Sequence, residues 1–323
     1  MAAILNCLIP STEWDCPIFK VLAHNDTGAA KGHQGGIVVP IDLRPYFPWL
    51  EENASAIAPT EDRRIEAELF VGNTYSQTVN TRYQYQTWGG TRRAESRLTD
   101  QLGALRNEAV GNDILVIQRN MARLDCYRLT LVKQSSDQFA IAKTLTGERR
   151  WGVLELINMP ISDSDLKRAQ EEEQATEAAP FQLIDPSAEL SSATVRRVAR
   201  SIVFRSKVLK LYEKTCSVCA EALTTPSGAV ETDAAHIVPR SQMGADDARN
   251  GIALCKQHHW AFDKGLFSVT DDRSVIVPET VSSIAQNVRL KQLDGRAIRE
   301  AADPRFTVHP DAFRWHRHHI LQS

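Results

Sequence analysis

The chain is poor in the features that mark specialised protein classes. Only six of its 323 residues are cysteine. That is too few for a disulfide scaffold at this length, and three of the six stand in metal-ligand spacing instead. This usage points to a reducing cytoplasmic compartment. No apolar run approaches the roughly 18 residues that a membrane-spanning helix needs, so no membrane partner is expected. Residues 1–10 lack the basic start and cleavage site of a secretory leader. The chain is 42% hydrophobic, 24% charged and 7% aromatic, which excludes a disordered or fibrous class. There is no internal repeat or low-complexity tract. An excess of either charge is also missing, for the formal net charge is −2.

That near-neutrality is an average. Residues 1–160 carry a net −1, residues 161–190 a net −6 and residues 191–323 a net +5. The length exceeds one comfortable core. The charge steps therefore divide the chain into a first domain at 1–160, an acidic linker or helix at 161–190, and a basic domain at 191–323. The acidic stretch holds Glu171, Glu172 and Glu173 in a row. It predicts an exposed helix over 163–178, followed by an irregular link to Pro186. It reads either as a solvated spacer or as a cover for a basic surface.

Short apolar or alternating runs mark the first domain as a mostly antiparallel sheet or barrel: Ile37 to Pro40, Ile65 to Val71, Asp113 to Gln118 and Tyr127 to Val132. After the acidic stretch come a basic helix over 193–214, a cysteine-histidine region and a hairpin near 266–277. The second domain is thus α+β.

The densest chemistry lies between Cys216 and Asp263. Cys216 and Cys219 form one CxxC half-site, and Cys255 and His258 form a CxxH half-site. Two such halves supply four ligands for a structural zinc ion. A second set is interleaved with them. His236 ends a strand-like run, Asn250 and His259 follow, and Asp263 stands four residues beyond His259. Residues at i and i+4 share a helix face, so His259 and Asp263 can hold one cation. His258 is turned about 100° from His259, which lets one helix serve two sites.

These residues resemble the HNH, or ββα-metal, endonuclease family. The match runs through Tyr212, Cys216, Cys219, Ala235-His236-Ile237, Pro239, Asn250-Gly251-Ile252, Leu254-Cys255, His258-His259 and Phe262 to Gly265, and extends over roughly 195–320. The resemblance implies that His236 is the general base and that His259 and Asp263 hold Mg2+ or Mn2+ at the scissile phosphate. It also implies that Asn250 ties the catalytic loop to the helix and orients His236. The expected products are a 5′-phosphate and a 3′-hydroxyl. Many relatives carry a metal ligand just before the base, where this chain has Ala235. The metal shell then leans on His259 and Asp263, with Asp233 as a helper.

Around this constellation, the helix with Arg196, Arg197, Arg200, Arg205, Lys207, Lys210 and Lys214 reads as a solvated face or as a phosphate-tracking surface, with Arg196 and Arg200 as its DNA contacts. The histidine-rich tail at Trp315 to His319 reads as a packing and phosphate-contact segment. Cys7, Cys16 and Cys126 read as plain thiols.

In the first domain, the glycine-rich segment from Ala23 to Gly36 lacks the GKS or GKT ending of a nucleotide loop, so ATP is not expected. The segment from Trp88 to Arg97 mixes three arginines with Glu95, a set suited to reading base edges in the major groove. Together they resemble the amino-terminal effector domain of EcoRII-type restriction enzymes, a pseudobarrel shared with a class of plant transcription factors. The matching residues are Asn25 to Ala29, Gly32-His33-Gln34, Gly36, Pro40, Gly89, Thr91-Arg92, Glu95, Arg97 and Thr99. The resemblance implies a first DNA-gripping arm with His33 and Gln34, and a reading loop with Arg92, Glu95 and Arg97.

The expected fold is therefore an EcoRII effector-like, mostly β pseudobarrel followed by an α+β HNH domain with structural zinc. The expected function is a restriction-type endonuclease acting on double-stranded DNA as a homodimer. A methylation-dependent enzyme of the same architecture and a non-catalytic DNA-binding regulator are the alternatives.

Overall fold

Alternation of side chains builds the first unit. In the segments 114–119 and 126–132 nearly every residue is buried, so successive side chains feed opposite faces of one sheet. The structure, a computed structural model, describes residues 5–9, 11, 13–29, 35–50, 60–87, 94–154, 159–185, 194–226, 228 and 230–322. It divides into two compact units, Met1–Asp165 and Leu166–Ser323.

The first unit contains β1 (Ile18–Val21), β2 (Ile37–Val39), β3 (Thr60–Val71), β4 (Thr74–Gln86), β5 (Glu95–Leu98), β6 (Ile114–Arg119), β7 (Cys126–Val132) and β8 (Trp151–Val153). Two short helices accompany them, α1 (Gly103–Arg106) and α2 (Phe139–Thr146). The strands form one sheet in the order β2-β5-β4-β3-β7-β6-β1-β8. Every pairing is antiparallel except β3 with β7. One face packs Ile18, Leu115, Ile117, Leu129 and Leu131 with Phe47, Tyr83 and Leu98. The other packs Phe19, Ile114, Val116 and Val132 with Leu5, Ala142 and Leu154.

The sheet curls into a half-barrel. Lys20 on β1 donates to Asp26 at 2.7 Å and to the carbonyl of Val38 on β2, at the far end of the strand order. Asp26 accepts from the Val38 amide at 2.9 Å. Burial pushes the Lys20 ammonium down from its ordinary range, against the pull of Asp26. Trp151 on β8 donates to Asp42, in the turn that follows β2, at 2.9 Å.

The second unit takes in most of α3 (Asp163–Ala178) and contains α4 (Thr194–Leu211), β9 (Asp233–His236), β10 (Gly251–Leu254), α5 (Lys256–Asp263), β11 (Ser268–Val269), β12 (Val275–Ile276), α6 (Glu279–Ser282), α7 (Val288–Lys291) and α8 (Pro310–His319). β9 and β10 pair antiparallel with His236 opposite Gly251, and α5 completes a ββα unit. The apolar stripe Ala199, Ile202, Val203, Phe204 and Val208 of α4 is buried. A Cβ at Gly251 would come within 2.6 Å of the Val208 side chain and 2.8 Å of the Phe204 ring, so glycine is what lets α4 lie on β10. α8 is moored by His316, which stacks on Phe262 of α5 at 3.7 Å and bonds to the Phe262 carbonyl and Ser268. Among the described residues no helix is long and apolar enough to cross a membrane.

Candidate active site and metal centre

The sulfurs of Cys216, Cys219 and Cys255 and a ring nitrogen of His258 lie within 4.8 Å of one another. Cys216 and Cys219 come from the turn after α4, and Cys255 and His258 from the first turn of α5. The His258 Nδ1 is 3.4 Å from the Cys216 sulfur and 3.2 Å from the Cys255 sulfur. A tetrahedral zinc at about 2.3 Å from sulfur and about 2.1 Å from nitrogen gives edges of about 3.6–3.8 Å, so this donor set suits zinc. The thiols polarise one another. The Cys255 thiol, donating to the Cys216 sulfur, brings Cys216 down to about 3. The same bond, with burial, pushes Cys255 far up, and burial raises Cys219 to about 11. Away from this knot, burial pushes the Cys7 thiol up to about 11 and Cys126 higher still, which leaves both unreactive.

On the neighbouring face of α5, His259 points its two nitrogens at two carboxylates. Its Nε2 is 3.7 Å from Asp263 and its Nδ1 3.8 Å from Asp233. The 3.7 Å gap admits a cation about 2.1 Å from each atom. Asp233 meets the opposite nitrogen, as an outer carboxylate does in carboxylate–histidine–metal arrangements, and is itself 3.3 Å from Arg205 and 3.4 Å from Lys256. Asp233, expected as a helper to the metal shell, faces the His259 nitrogen opposite the one that meets Asp263.

His236 ends β9. Its ring stacks on Phe204 at 3.8 Å and 11°, and its Nε2 lies 2.9 Å from Asp246. Asn250 is fully buried. Its side chain accepts from the Val238 amide at 2.9 Å and donates to the carbonyls of Val238 and Ala245. These bonds close the 238–245 loop on itself, where the sequence argument had expected a tie to the helix. Asp246 and Arg240, both within this cluster, were not singled out from the sequence. The only local signal is that the loop starts two residues after His236 and ends one before Asp246.

The basic helix is engaged. Arg196 pairs with Glu172 at 2.7 Å, Arg200 with Asp185 at 2.9 Å, and Lys207 with Glu177 at 2.5 Å and Glu173 at 3.6 Å. Arg249 donates to the carbonyls of Thr176 and Ala179. Of the tail histidines, His316 is a buried packing residue.

In the first unit, His33, Gln34 and Arg92 lie outside the described residues, as does Trp88. Glu95 and Arg97 do not stand in a loop. They occupy β5 opposite Gln86 and Gln84 of β4, on one face because they are two residues apart. Arg97 donates to Glu95 at 2.8 Å and Gln86 donates to Glu95 at 3.3 Å. Cross-strand pairing with a polar β4 neighbour turns what reads as a loop into a strand.

Residues 216–270 match the family model described as HNH endonuclease, so the second unit carries an HNH endonuclease domain. That span contains both metal-ligand sets, His236 and Asn250. No curated protein matches the chain. Among the solved structures similar to parts of it are the following three. One is the modification-dependent TagI restriction endonuclease, with 26% identity, a TM-score of 0.30 and coverage of 37% of this chain and 38% of that one. Another is the B3 domain of the UbaLAI restriction endonuclease with cognate DNA, with 15% identity, a TM-score of 0.30 and coverage of 49% of this chain and 90% of that one. The third is the Type IV phosphorothioation-dependent restriction endonuclease ScoMcrA, with 13% identity, a TM-score of 0.23 and coverage of 94% of this chain and 52% of that one.

Proposed function

We propose that the protein is a site-specific DNA endonuclease of the restriction type, with the first unit choosing the site and the HNH domain cutting. The observation that carries this reading is the ββα placement of His236 and His259 inside the segment that matches HNH endonucleases. His236 takes a proton from the attacking water, and the resulting hydroxide oxygen bonds to phosphorus as the bond to the 3′ oxygen breaks. The departing oxygen gains a proton from solvent, leaving a 5′-phosphate and a 3′-hydroxyl. His259 and Asp263 would hold Mg2+ or Mn2+, which would supply charge stabilisation at the phosphate and the leaving oxygen. Cys216, Cys219, Cys255 and His258 would hold zinc in a structural role. Asn250 keeps the loop that follows His236 closed.

Arg196 and Arg200 contact backbone phosphates, while the arm with His33 and Gln34 and the segment with Arg92, Glu95 and Arg97 contact the DNA at the recognised site. The carboxylates of 172–185 cover these cations in the free protein, which favours the cover reading of the acidic stretch over the spacer. One HNH site cuts one strand, so a homodimer cuts both.

Digestion of methylated and unmethylated duplex side by side in Mg2+ and in Mn2+, with sequencing of the ends, tests this reading. Defined ends from wild type and none from His236→Ala are expected. The methylated arm decides the trigger. Binding without any cleavage would leave a DNA-binding regulator and overturn the nuclease reading. A rate linear in protein, with nicked product only, would overturn the dimer.

A further inference from the structure

Asp246 meets two arginines and the His236 ring at once. Its side chain is only 8% exposed. It places Oδ1 2.9 Å from the His236 Nε2, with Arg240 at 3.4 Å from Oδ1 and Arg200 at 3.4 Å from Oδ2. Phe204 fixes the plane of the His236 ring, yet a stacked imidazole can still turn over by half a revolution, exchanging each nitrogen with a ring carbon. A carboxylate only accepts hydrogen bonds. The contact with Asp246 therefore selects the orientation and tautomer with the hydrogen on Nε2, and leaves Nδ1 as the proton acceptor.

The backbone around this contact is heavily constrained. Asn250 fastens Val238, two residues after His236, and Ala245, one residue before Asp246. Between them Met243 adopts a left-handed φ of 58°, which a non-glycine residue holds only when its surroundings compel it. A Cβ at Gly244 would lie 1.8 Å from the Val238 carbonyl oxygen. The loop is shaped to bring residue 246 back to residue 236.

We propose that Asp246 is the positioning residue of the general base. It holds His236 with Nδ1 toward the attacking water and stabilises the imidazolium formed when that water gives up its proton. The inference rests on the nuclease reading above and deepens it. The logic is that of an orienting carboxylate behind a catalytic histidine, in which the acid itself is not protonated. It acts through His236 and need not touch DNA.

The test uses the full-length protein. Asp246→Asn preserves shape but removes the negative charge, and Asp246→Ala removes the contact. Both are expected to lower kcat for duplex nicking about 100-fold or more, within the range that general-base catalysis supplies, while DNA affinity does not fall and zinc content stays at the wild-type value. Ring 15N NMR is expected to show His236 as a single Nε2–H tautomer in wild type, with the resonance assigned by its loss in His236→Gln. That preference should disappear in Asp246→Ala. If Asp246→Ala does not fold, the kcat and DNA affinity of Asp246→Asn decide the matter. Rescue of kcat to within threefold by the isosteric Asn, a parallel fall in DNA affinity, or an Nδ1–H tautomer in wild type would each overturn the proposal. Absence of any cleavage by the wild-type protein would instead overturn the nuclease reading, and the tautomer measurement distinguishes the two failures.

Discussion

Two adjacent histidines on α5 face different surroundings. His258 is buried among three sulfurs, whereas His259 is partly exposed between the carboxylates of Asp233 and Asp263. One set is four protein donors, three of them buried, and suits an ion that holds segments of the chain together. The other is open and leaves room for a substrate's oxygens, the distinction that separates structural from catalytic metal sites. A third histidine, His316, is buried against the same helix and bonds to Ser268 and the Phe262 carbonyl. Residue type alone does not tell the three apart; the neighbours do.

The largest effect is expected at the cysteine knot. Cys219→Ser, or chelation, is expected to unfold the second unit, read as lost cooperative melting. Structural zinc contributes on the order of 10–16 kcal/mol against a typical domain stability of about 5–15 kcal/mol. A folded, active Cys219→Ser protein would remove the zinc assignment. At the open site the effect is on rate rather than on folding. His236→Ala should melt as wild type does yet lose about 10²–10⁴-fold in nicking rate.

His316 sharpens the comparison through pH. Burial holds it near 4 in the folded chain, below its ordinary 6.5. Between those values the unfolded chain binds a proton that the folded chain refuses, so stability is complete above 6.5, falls with pH through this window and levels off near 4. The loss is about 3 kcal/mol. It should appear as an extra drop in melting temperature in wild type relative to His316→Gln, and equal pH slopes would refute it. The smallest effect is expected at Asp233. Asp233→Asn should weaken Mn2+ binding by about 10–100-fold, read by titration calorimetry, without altering zinc content.

How much of this was legible in the sequence depends on distance along the chain. The two ligand sets could be read because CxxC, CxxH and the i, i+4 pair His259 and Asp263 are local spacings. So could the helix over 163–178, since its acids and its lack of apolar residues are local too. The partner of His236 could not be read, because Asp246 arrives only when Asn250 closes a loop that no periodicity describes. β4 escaped for another reason. Its alternating Thr, Gln, Asn and Tyr carry little hydrophobic contrast, and its strand state comes from pairing with β3 along its whole length. Glu95 and Arg97 were read as a loop for the same reason, since their strand is set by Gln84 and Gln86 across the ladder.

The ion pairs between 172–185 and α4 carry a thermodynamic consequence. Arg196, Arg200 and Lys207 already have carboxylates, so a polyanion that meets them exchanges one anion for another. The gain per contact is the difference between two surface ion pairs, each worth only about 0–1 kcal/mol, rather than the whole of one. The carboxylates set free take up counterions while the duplex gives them off, so the salt dependence of binding is shallower than the count of arginines and lysines implies. A strip balanced in this way discriminates weakly between one stretch of duplex and the next, and leaves selection to the contacts made elsewhere.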